Sequence, residues 1–176
     1  MSYDSMGEKD PHLLFISGPS RSGKTTLIER MIPKILERGV RVGTIKHAHE
    51  GCTLDHPGKD SWRHQRAGAN PVAVITPNQT VLFVGTKYEF PLSQTIRQMA
   101  PSVDLILIEG YKELDGARIL LTPHRGERIS MNKTTCHIGV FPEELSETEL
   151  QDIVEFSLTR AERTSHLEER WRKMVS

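Results

Sequence analysis

The residues with the clearest chemical signature are Gly18-Pro19-Ser20-Arg21-Ser22-Gly23-Lys24-Thr25, which match the pattern G-x-x-x-x-G-K-[ST]. Two glycines at this spacing let the backbone wrap so that successive N–H groups point inward, where they bind phosphate oxygens. Lys24 would bridge the β- and γ-phosphates of a nucleoside triphosphate, and the Thr25 hydroxyl would ligate Mg²⁺. The predicted ligand contacts in this phosphate cradle are Gly18, Ser20, Arg21, Ser22, Gly23, Lys24, Thr25 and Thr26.

Such a cradle also needs a carboxylate at the end of a neighbouring strand, which orients Mg²⁺ through the water shell of the ion. Glu109 follows the apolar run Leu105–Ile108, so it is the predicted catalytic and metal-associated residue. Asp60 is the reserve residue for both roles, because we expect it on the same rim. The alternative for Glu109 is a surface acid without this role, since apolar runs that end in an acid are common in α/β folds.

A second group of polar residues follows the next predicted strand. His47 and His49 are expected to face the ligand. Gly58 and Lys59 lead into a short helix with Asp60 or Ser61 as its N-cap, and we predict a second anion site there. The alternative is a capped surface helix with solvated charges. A zinc site formed by His47, His49, Cys52 and His56 is less favoured, because its spacing matches no standard structural zinc pattern.

The elements around these motifs predict an α/β protein. A buried strand precedes the cradle, and an amphipathic helix with Pro33 inside it follows, closed by Gly39. Strands then alternate with helices, which favours a P-loop NTPase-like three-layer fold: a mostly parallel sheet covered by helices, plus a β-hairpin insertion at 72–84. A strand is expected at 137–141, and one long helix is expected to begin at the capping box of Ser146 and Glu149.

Three stretches together resemble the MobB family of molybdopterin-guanine dinucleotide biosynthesis proteins. They are the cradle, the segment Thr44-Ile45-Lys46-His47-Ala48-His49 with Asp55-His56-Pro57-Gly58-Lys59-Asp60-Ser61 and Arg66-Ala67-Gly68-Ala69, and Leu107-Ile108-Glu109-Gly110-Tyr111-Lys112. The resemblance covers roughly residues 12–115. It implies a cytoplasmic, GTP-binding homodimer that assists the guanylyltransferase MobA when GMP is attached to molybdopterin. GTP and Mg²⁺ are then the expected ligands, and molybdopterin or MobA the expected partner.

Composition limits the other possibilities. The chain has 176 residues with 23 basic and 23 acidic side chains, so it lacks the positive surface of a nucleic-acid-binding protein. Two cysteines without CxxC spacing fit a reducing compartment, and no apolar run is long enough to cross a membrane. Cys136 is interpreted as a small buried hydrophobic residue. We expect a loose tail at 1–11 and a single nucleotide-binding domain at 12–176.

Two questions stay open at this level. The chain lacks the N-K-x-D motif that selects guanine in many GTP-binding proteins, since Asn132-Lys133-Thr134-Thr135 has no aspartate. The loop Thr122–Arg125 is the candidate for lining the base. A small-molecule kinase or a nucleotide-gated interaction module without catalysis would use the same cradle, so both stay as alternatives to an accessory protein with slow GTP hydrolysis.

Overall fold

The computed structural model describes residues 10–48, 55–85 and 92–175, with side chains described up to residue 169. These residues divide into two compact units, of which one comprises 48–92 and the other the rest of the chain. Asp10 and Pro11, which the sequence assigns to the tail, are held by the fold. The carboxylate of Asp10 accepts hydrogen bonds from Ser165, and the Pro11 carbonyl accepts one from the hydroxyl of Thr164 at 2.8 Å. The fold therefore includes Asp10 and Pro11, in contrast to the prediction.

The larger unit is built on a mostly parallel sheet, as predicted. Among the described residues its strand order is β2-β5-β1-β6-β8-β7, with β9 added antiparallel at the start of β1. β7 is the antiparallel edge strand. The strands of this sheet are β1 (His12–Ser17), β2 (Val42–Lys46), β5 (Leu105–Glu109), β6 (Arg118–Leu121), β7 (Ile129–Met131), β8 (Thr135–Ile138) and β9 (Glu162–Arg163), and its helices are α1 (Lys24–Glu37), α3 (Leu92–Met99), α4 (Glu147–Arg160) and α5 (Thr164–Val175).

Helices cover both faces of this sheet. Leu14 and Ile16 of β1 pack in a core with the buried side chains of α1 and α4. Phe15, between them in sequence, points to the other face, because side chains alternate along a strand. There it meets Leu167 of α5 across Gly116, where an added Cβ would lie 2.7 Å from the Phe15 ring and 3.2 Å from Leu167. The result is the three-layer arrangement that the sequence predicts.

The C-terminal part differs from its prediction. The capping box of Ser146 and Glu149 is present: the side chain of each residue accepts a hydrogen bond from the backbone N–H of the other. The expected single long helix is wrong, because α4 ends at Arg160 and Ala161 adopts an extended conformation. The chain then pairs with β1 as β9 before α5 begins, and the N–H of Thr164 donates to the Pro11 carbonyl. This pairing satisfies backbone groups that a continuous helix would leave unpaired at the edge of β1.

The smaller unit contains helix α2 (Asp60–Arg66) and an antiparallel hairpin of β3 (Val72–Ile75) and β4 (Thr80–Phe83). The hairpin is confirmed. The predicted N-cap is wrong: the N-cap is Lys59, whose side chain makes no capping bond, because Asp60 and Ser61 already belong to the helix. Asp55 organises this turn instead. Its carboxylate accepts hydrogen bonds from Ser61 Oγ at 3.2 Å and from Gln65 Nε2 at 2.9 Å.

Candidate functional site

The loop between β1 and α1 has the backbone conformation of a phosphate cradle. Gly18, Arg21 and Gly23 have positive φ angles of 151°, 61° and 88°. Side chains would not fit at the two glycines: a Cβ on Gly18 would lie 2.4 Å from the Leu121 carbonyl oxygen, and one on Gly23 would lie 2.5 Å from Cδ of Pro142. The glycines of the motif are therefore required by both conformation and space.

Lys24 begins helix α1 and lies over the loop. Its Nζ donates hydrogen bonds to the carbonyl oxygens of Pro19 at 2.7 Å and of Gly18 at 3.2 Å. Burial lowers the pKa of Lys24 below its ordinary value, while the Glu109 carboxylate raises it and the cations Lys112 and Lys46 lower it. The ammonium group is thus held at the mouth of the loop, where it can reach an anion bound by the N–H groups.

Two buried hydroxyl groups support the assignment of an anion site. The Oγ atoms of Ser17 and Ser22 are buried and have no hydrogen-bond partner within the described chain. Buried polar atoms are normally paired, so such atoms need an explanation. Ser22 lies inside the motif, and the 14-residue helix α1 starts two positions later, so its free N–H groups and positive end face the same place. The residues present fit a bound polyphosphate.

Glu109 lies where the sequence predicts, at the carboxyl end of β5. Ile16 of β1 and Lys46 of β2 are its partners in the parallel register. The side chain of Glu109 is only 14% exposed, and its Oε2 lies 3.6 Å from Nζ of Lys46. A carboxylate at this position fits a hydrated Mg²⁺ held beside the phosphates, with the Thr25 hydroxyl as the other predicted oxygen ligand.

The cradle and Glu109 line one cavity of about 450 Å³, a size typical of small-molecule sites. Sequence reasoning missed three of its residues. Lys46 could have been found from the parallel register, which puts it beside Glu109. Phe141 and Glu143 had no motif to reveal them. The lining residues are Ser20, Arg21, Ser22, Gly23, Lys24, Thr25, Thr26, Lys46, Glu109, Phe141 and Glu143.

His47 does not line this cavity in the described part of the chain. Its N–H donates to the Glu109 carbonyl at 2.9 Å, and its ring stacks on Tyr111 with the ring centroids 4.3 Å apart. Gly110 makes room for the histidine, since an added Cβ would lie 2.7 Å from that of His47. The geometry therefore assigns His47 to packing at the end of β5 instead of to direct contact with the cradle.

The remaining predicted metal ligands are only partly described. His49 and Cys52 lie outside the described residues, so the zinc hypothesis stays untested. Within the described ranges, no three histidine, cysteine, aspartate or glutamate side chains form a group that could hold a metal ion. Cys136 is fully buried, and burial raises the pKa of its thiol to about 12, as expected for a small core residue.

Gly58, Lys59 and Asp60 belong to the smaller unit and are exposed. Gly58 has a φ of 90° with open space around its Cα. The carboxylate of Asp60 lies 3.8 Å from the Arg63 guanidinium on the next turn. Helix α2 has seven residues, so its N-terminal field is weak. The second anion site and the reserve role of Asp60 stay predictions.

The loop predicted to line the base, Thr122–Arg125, is not among the described residues that line the cavity. The hydroxyl of Thr122 is 2.6 Å from Nε2 of His137, and the ring of His124 makes an edge contact with Phe141 at 5.2 Å. The strand predicted at 137–141 is also corrected here: β8 spans Thr135–Ile138, and the chain bends at Val140 just beyond it. Phe141 is thereby released from the sheet and joins the site.

No helix in the described part of the chain combines the length and apolar character needed to span a membrane. Residues 13–140 match the model of the family described as molybdopterin guanine dinucleotide synthesis protein B, MobB. This segment contains the cradle, Lys46 and Glu109. It ends just before Phe141.

Two curated relatives are named molybdopterin-guanine dinucleotide biosynthesis adapter protein. The one from Haemophilus influenzae is 40% identical over 65% of this chain and 64% of its own length. The one from Escherichia coli is 36% identical over 69% of this chain and 73% of its own length. A crystal structure of molybdopterin-guanine biosynthesis protein B superposes with a TM-score of 0.59 at 26% identity, covering 84% of this chain and 98% of that one. The chain belongs to the MobB family.

Proposed function

We propose that this chain binds GTP with Mg²⁺ at the cradle and acts as an accessory (adapter) protein in molybdopterin guanine dinucleotide synthesis. In this role it assists MobA, the guanylyltransferase that attaches GMP to molybdopterin. Family membership and the adapter name of the relatives support the pathway. The observation that carries nucleotide binding is that Lys24 and Glu109 line one cavity with the glycine-bounded loop.

The parts of this site have separate tasks. The N–H groups of residues 18–25 and the start of α1 bind the phosphates, and Lys24 neutralises the β- and γ-phosphate charge. When bound, Mg²⁺ would supply Lewis-acid chemistry to the phosphates. Thr25 would hold this ion directly and Glu109 through water. Lys46 fixes the Glu109 carboxylate from one side, since their charged atoms are 3.6 Å apart.

The first test is nucleotide selectivity. Ligands that bind only the folded protein increase its free energy of unfolding by RT ln(1 + [L]/Kd) and thereby raise its melting temperature. GTP with Mg²⁺ should therefore raise the melting temperature most among the four ribonucleoside triphosphates. A parent protein that no triphosphate stabilises would contradict the proposal. Turnover measured with and without candidate acceptors separates slow hydrolysis from kinase activity.

Glu109→Gln should lower GTP hydrolysis at least about tenfold while changing GTP affinity less than about threefold. The reason is that Glu109 acts on the water shell of the ion, and one lost charged contact there corresponds to about 1.5 to 3 kcal/mol in the transition state. Single-turnover hydrolysis and equilibrium titration at fixed Mg²⁺ measure the two quantities. Glu113→Gln, an exposed residue of the following turn, is the matched control. Equal losses in both quantities would indicate a structural role.

We also propose a second anion site at Gly58-Lys59-Asp60-Ser61, for molybdopterin phosphate or for the terminal phosphate of the nucleotide. Lys59 is exposed and heads α2. Lys59→Ala should weaken binding of the phosphorylated pterin or of GTP about tenfold, because one charge-assisted hydrogen bond is lost. Its melting curve should match the parent's, since an exposed lysine contributes little stability. If Lys59→Ala binds both ligands like the parent, the segment is only the start of a helix and the second anion site is refuted.

A cytoplasmic homodimer is the proposed state of the protein. The hairpin β3–β4 supports self-association, because a two-stranded sheet is marginal in water and this one leaves Ile75 76% and Leu82 49% exposed. Ile75→Asp should therefore shift sedimentation equilibrium towards monomer. Lys133→Ala, on an exposed turn between β7 and β8, is the control. A parent protein that sediments as a monomer would refute the dimer.

A further inference from the structure

We propose that Phe141 and Glu143 form the base subsite of the nucleotide site and that the Glu143 carboxylate selects guanine. This inference rests on the proposed triphosphate binding at the cradle. Both residues follow β8 and line the same cavity as Lys24 and Glu109. They lie beyond residues 13–140, the segment matched by the family model.

Contact with the cradle fixes the position of this segment. Pro142, between the two residues, packs so closely on Gly23 that a Cβ there would lie 2.5 Å from the proline Cδ. Phe141 and Glu143 therefore flank a residue that touches the phosphate loop itself. A base attached to a nucleotide in that loop would lie within reach of this segment.

Hydrogen bonds hold the segment before any ligand arrives. His124 N–H donates to the Gly139 carbonyl at 2.8 Å, and Glu144 N–H donates to the Phe141 carbonyl at 2.9 Å. The guanidinium of Arg30 on α1 donates to the carbonyls of Pro142 and Leu145. A subsite held in this way loses little conformational entropy on binding, which favours affinity and selectivity.

Phe141 provides an aromatic surface for the base. Its side chain is half-buried, and the His124 ring supports it through an edge contact with an interplanar angle of 77°. Stacking of a base on an aromatic ring contributes affinity with little dependence on base identity. Phe141 therefore accounts for retention of the base, and selection must come from a polar group.

Glu143 is that polar group. Its carboxylate is exposed at the cavity and has neither a hydrogen bond nor an ion pair with any residue that the structure describes. Guanine presents two donors side by side, N1–H and the 2-amino group, which match the two oxygens of a carboxylate. Adenine presents the N1 acceptor at that edge, which a carboxylate repels. The pairing thus favours guanine and rejects adenine.

The test compares Glu143→Gln with Glu144→Gln, its exposed neighbour in the same short turn, which does not line the cavity. Affinities for GTP, ATP and xanthosine triphosphate are measured for the full chain with Mg²⁺, alongside melting curves. Glu143→Gln should lower the affinity for GTP about tenfold to hundredfold, because charge-assisted hydrogen bonds to the base are lost. The same substitution should raise the affinity for xanthosine triphosphate, because the 2-carbonyl of xanthine accepts a hydrogen bond from the glutamine amide. Glu144→Gln should bind all three nucleotides like the parent.

Phe141→Leu separates the two parts of the subsite. It should lower the affinities for GTP and for ATP by a similar factor of about tenfold, so the ratio of the two affinities should not change. An unchanged GTP to ATP ratio in Glu143→Gln, or a parent that binds both nucleotides equally, would overturn the inference. If Lys24→Ala still reduces the affinity for GTP about a hundredfold in that case, the proposed function stands without this subsite. A parent that binds no triphosphate would refute both.

Discussion

Lys24→Ala should reduce the affinity for GTP with Mg²⁺ about a hundredfold. The lysine Nζ reaches the mouth of the cradle, where it bonds the carbonyls of Gly18 and Pro19. Bound phosphates would replace these neutral acceptors with charged ones. Charged hydrogen bonds contribute about 1.5 to 3 kcal/mol each, which corresponds to about tenfold to hundredfold in affinity. Equilibrium titration with labelled GTP measures the loss.

A matched control is available on the surface of the same unit. Lys133→Ala removes an equal charge from an exposed turn, so it should bind GTP like the parent. Removal of Lys24 should hardly change the melting temperature without ligand, because within the described residues the hydrogen bonds of its side chain are two, both to backbone carbonyls of the loop. Retained affinity in Lys24→Ala would mean that the cradle has been wrongly assigned.

Gly23→Ala should abolish nucleotide binding and destabilise the protein by about 2 to 4 kcal/mol. Two effects add: the residue has a φ of 88°, which strains an L-amino acid, and the new Cβ would overlap Pro142. Relief of the overlap would move either the phosphate loop or the segment that carries Phe141. Denaturant unfolding and GTP titration measure the two losses.

Gly39→Ala separates strain from overlap. Gly39 has a φ of 74° but no atom within 4 Å of an added Cβ, so only the conformational penalty of about 1 to 2 kcal/mol applies. It lies after the far end of α1, and GTP binding should be retained. If the two substitutions lower the free energy of unfolding equally, Pro142 moves away from the new Cβ without a loss of stability.

Local patterns were sufficient to predict the central fold and the cradle. The apolar run of β1, the glycine motif and the amphipathic pattern of α1 agree with one another, and such agreement across levels makes an assignment reliable. Ser146 and Glu149 likewise identified the start of α4. The position of Glu109 beside the loop was predictable, because the carboxyl ends of parallel strands meet at one edge.

Features that depend on distant contacts could not be predicted. The end of α4 is set by pairing of residues 162–163 with β1, and neither segment alone indicates it. The sequence predicts Asp60 or Ser61 as the N-cap of α2, but both lie inside the helix and Ser61 donates its hydroxyl hydrogen to Asp55. Glu143 looks like one more exposed acid in an acidic turn. Its role arises from the packing of Pro142 on Gly23, which joins parts of the chain far apart in sequence.

The pairing of β1 also bears on the order in which the fold can form during synthesis. This strand, which leads into the cradle, pairs with β5 and β6 from the middle of the chain and with β9 close to its end. Pairing of segments far apart in sequence requires long loops to close and therefore slows folding. The ribosome has synthesised the whole nucleotide motif long before it adds Glu162 and Arg163 of β9. The strand that leads into the cradle is therefore flanked by β5 and β6 only after residues 105–121 have been synthesised, and β9 adds its pairing later, at His12 and Leu13.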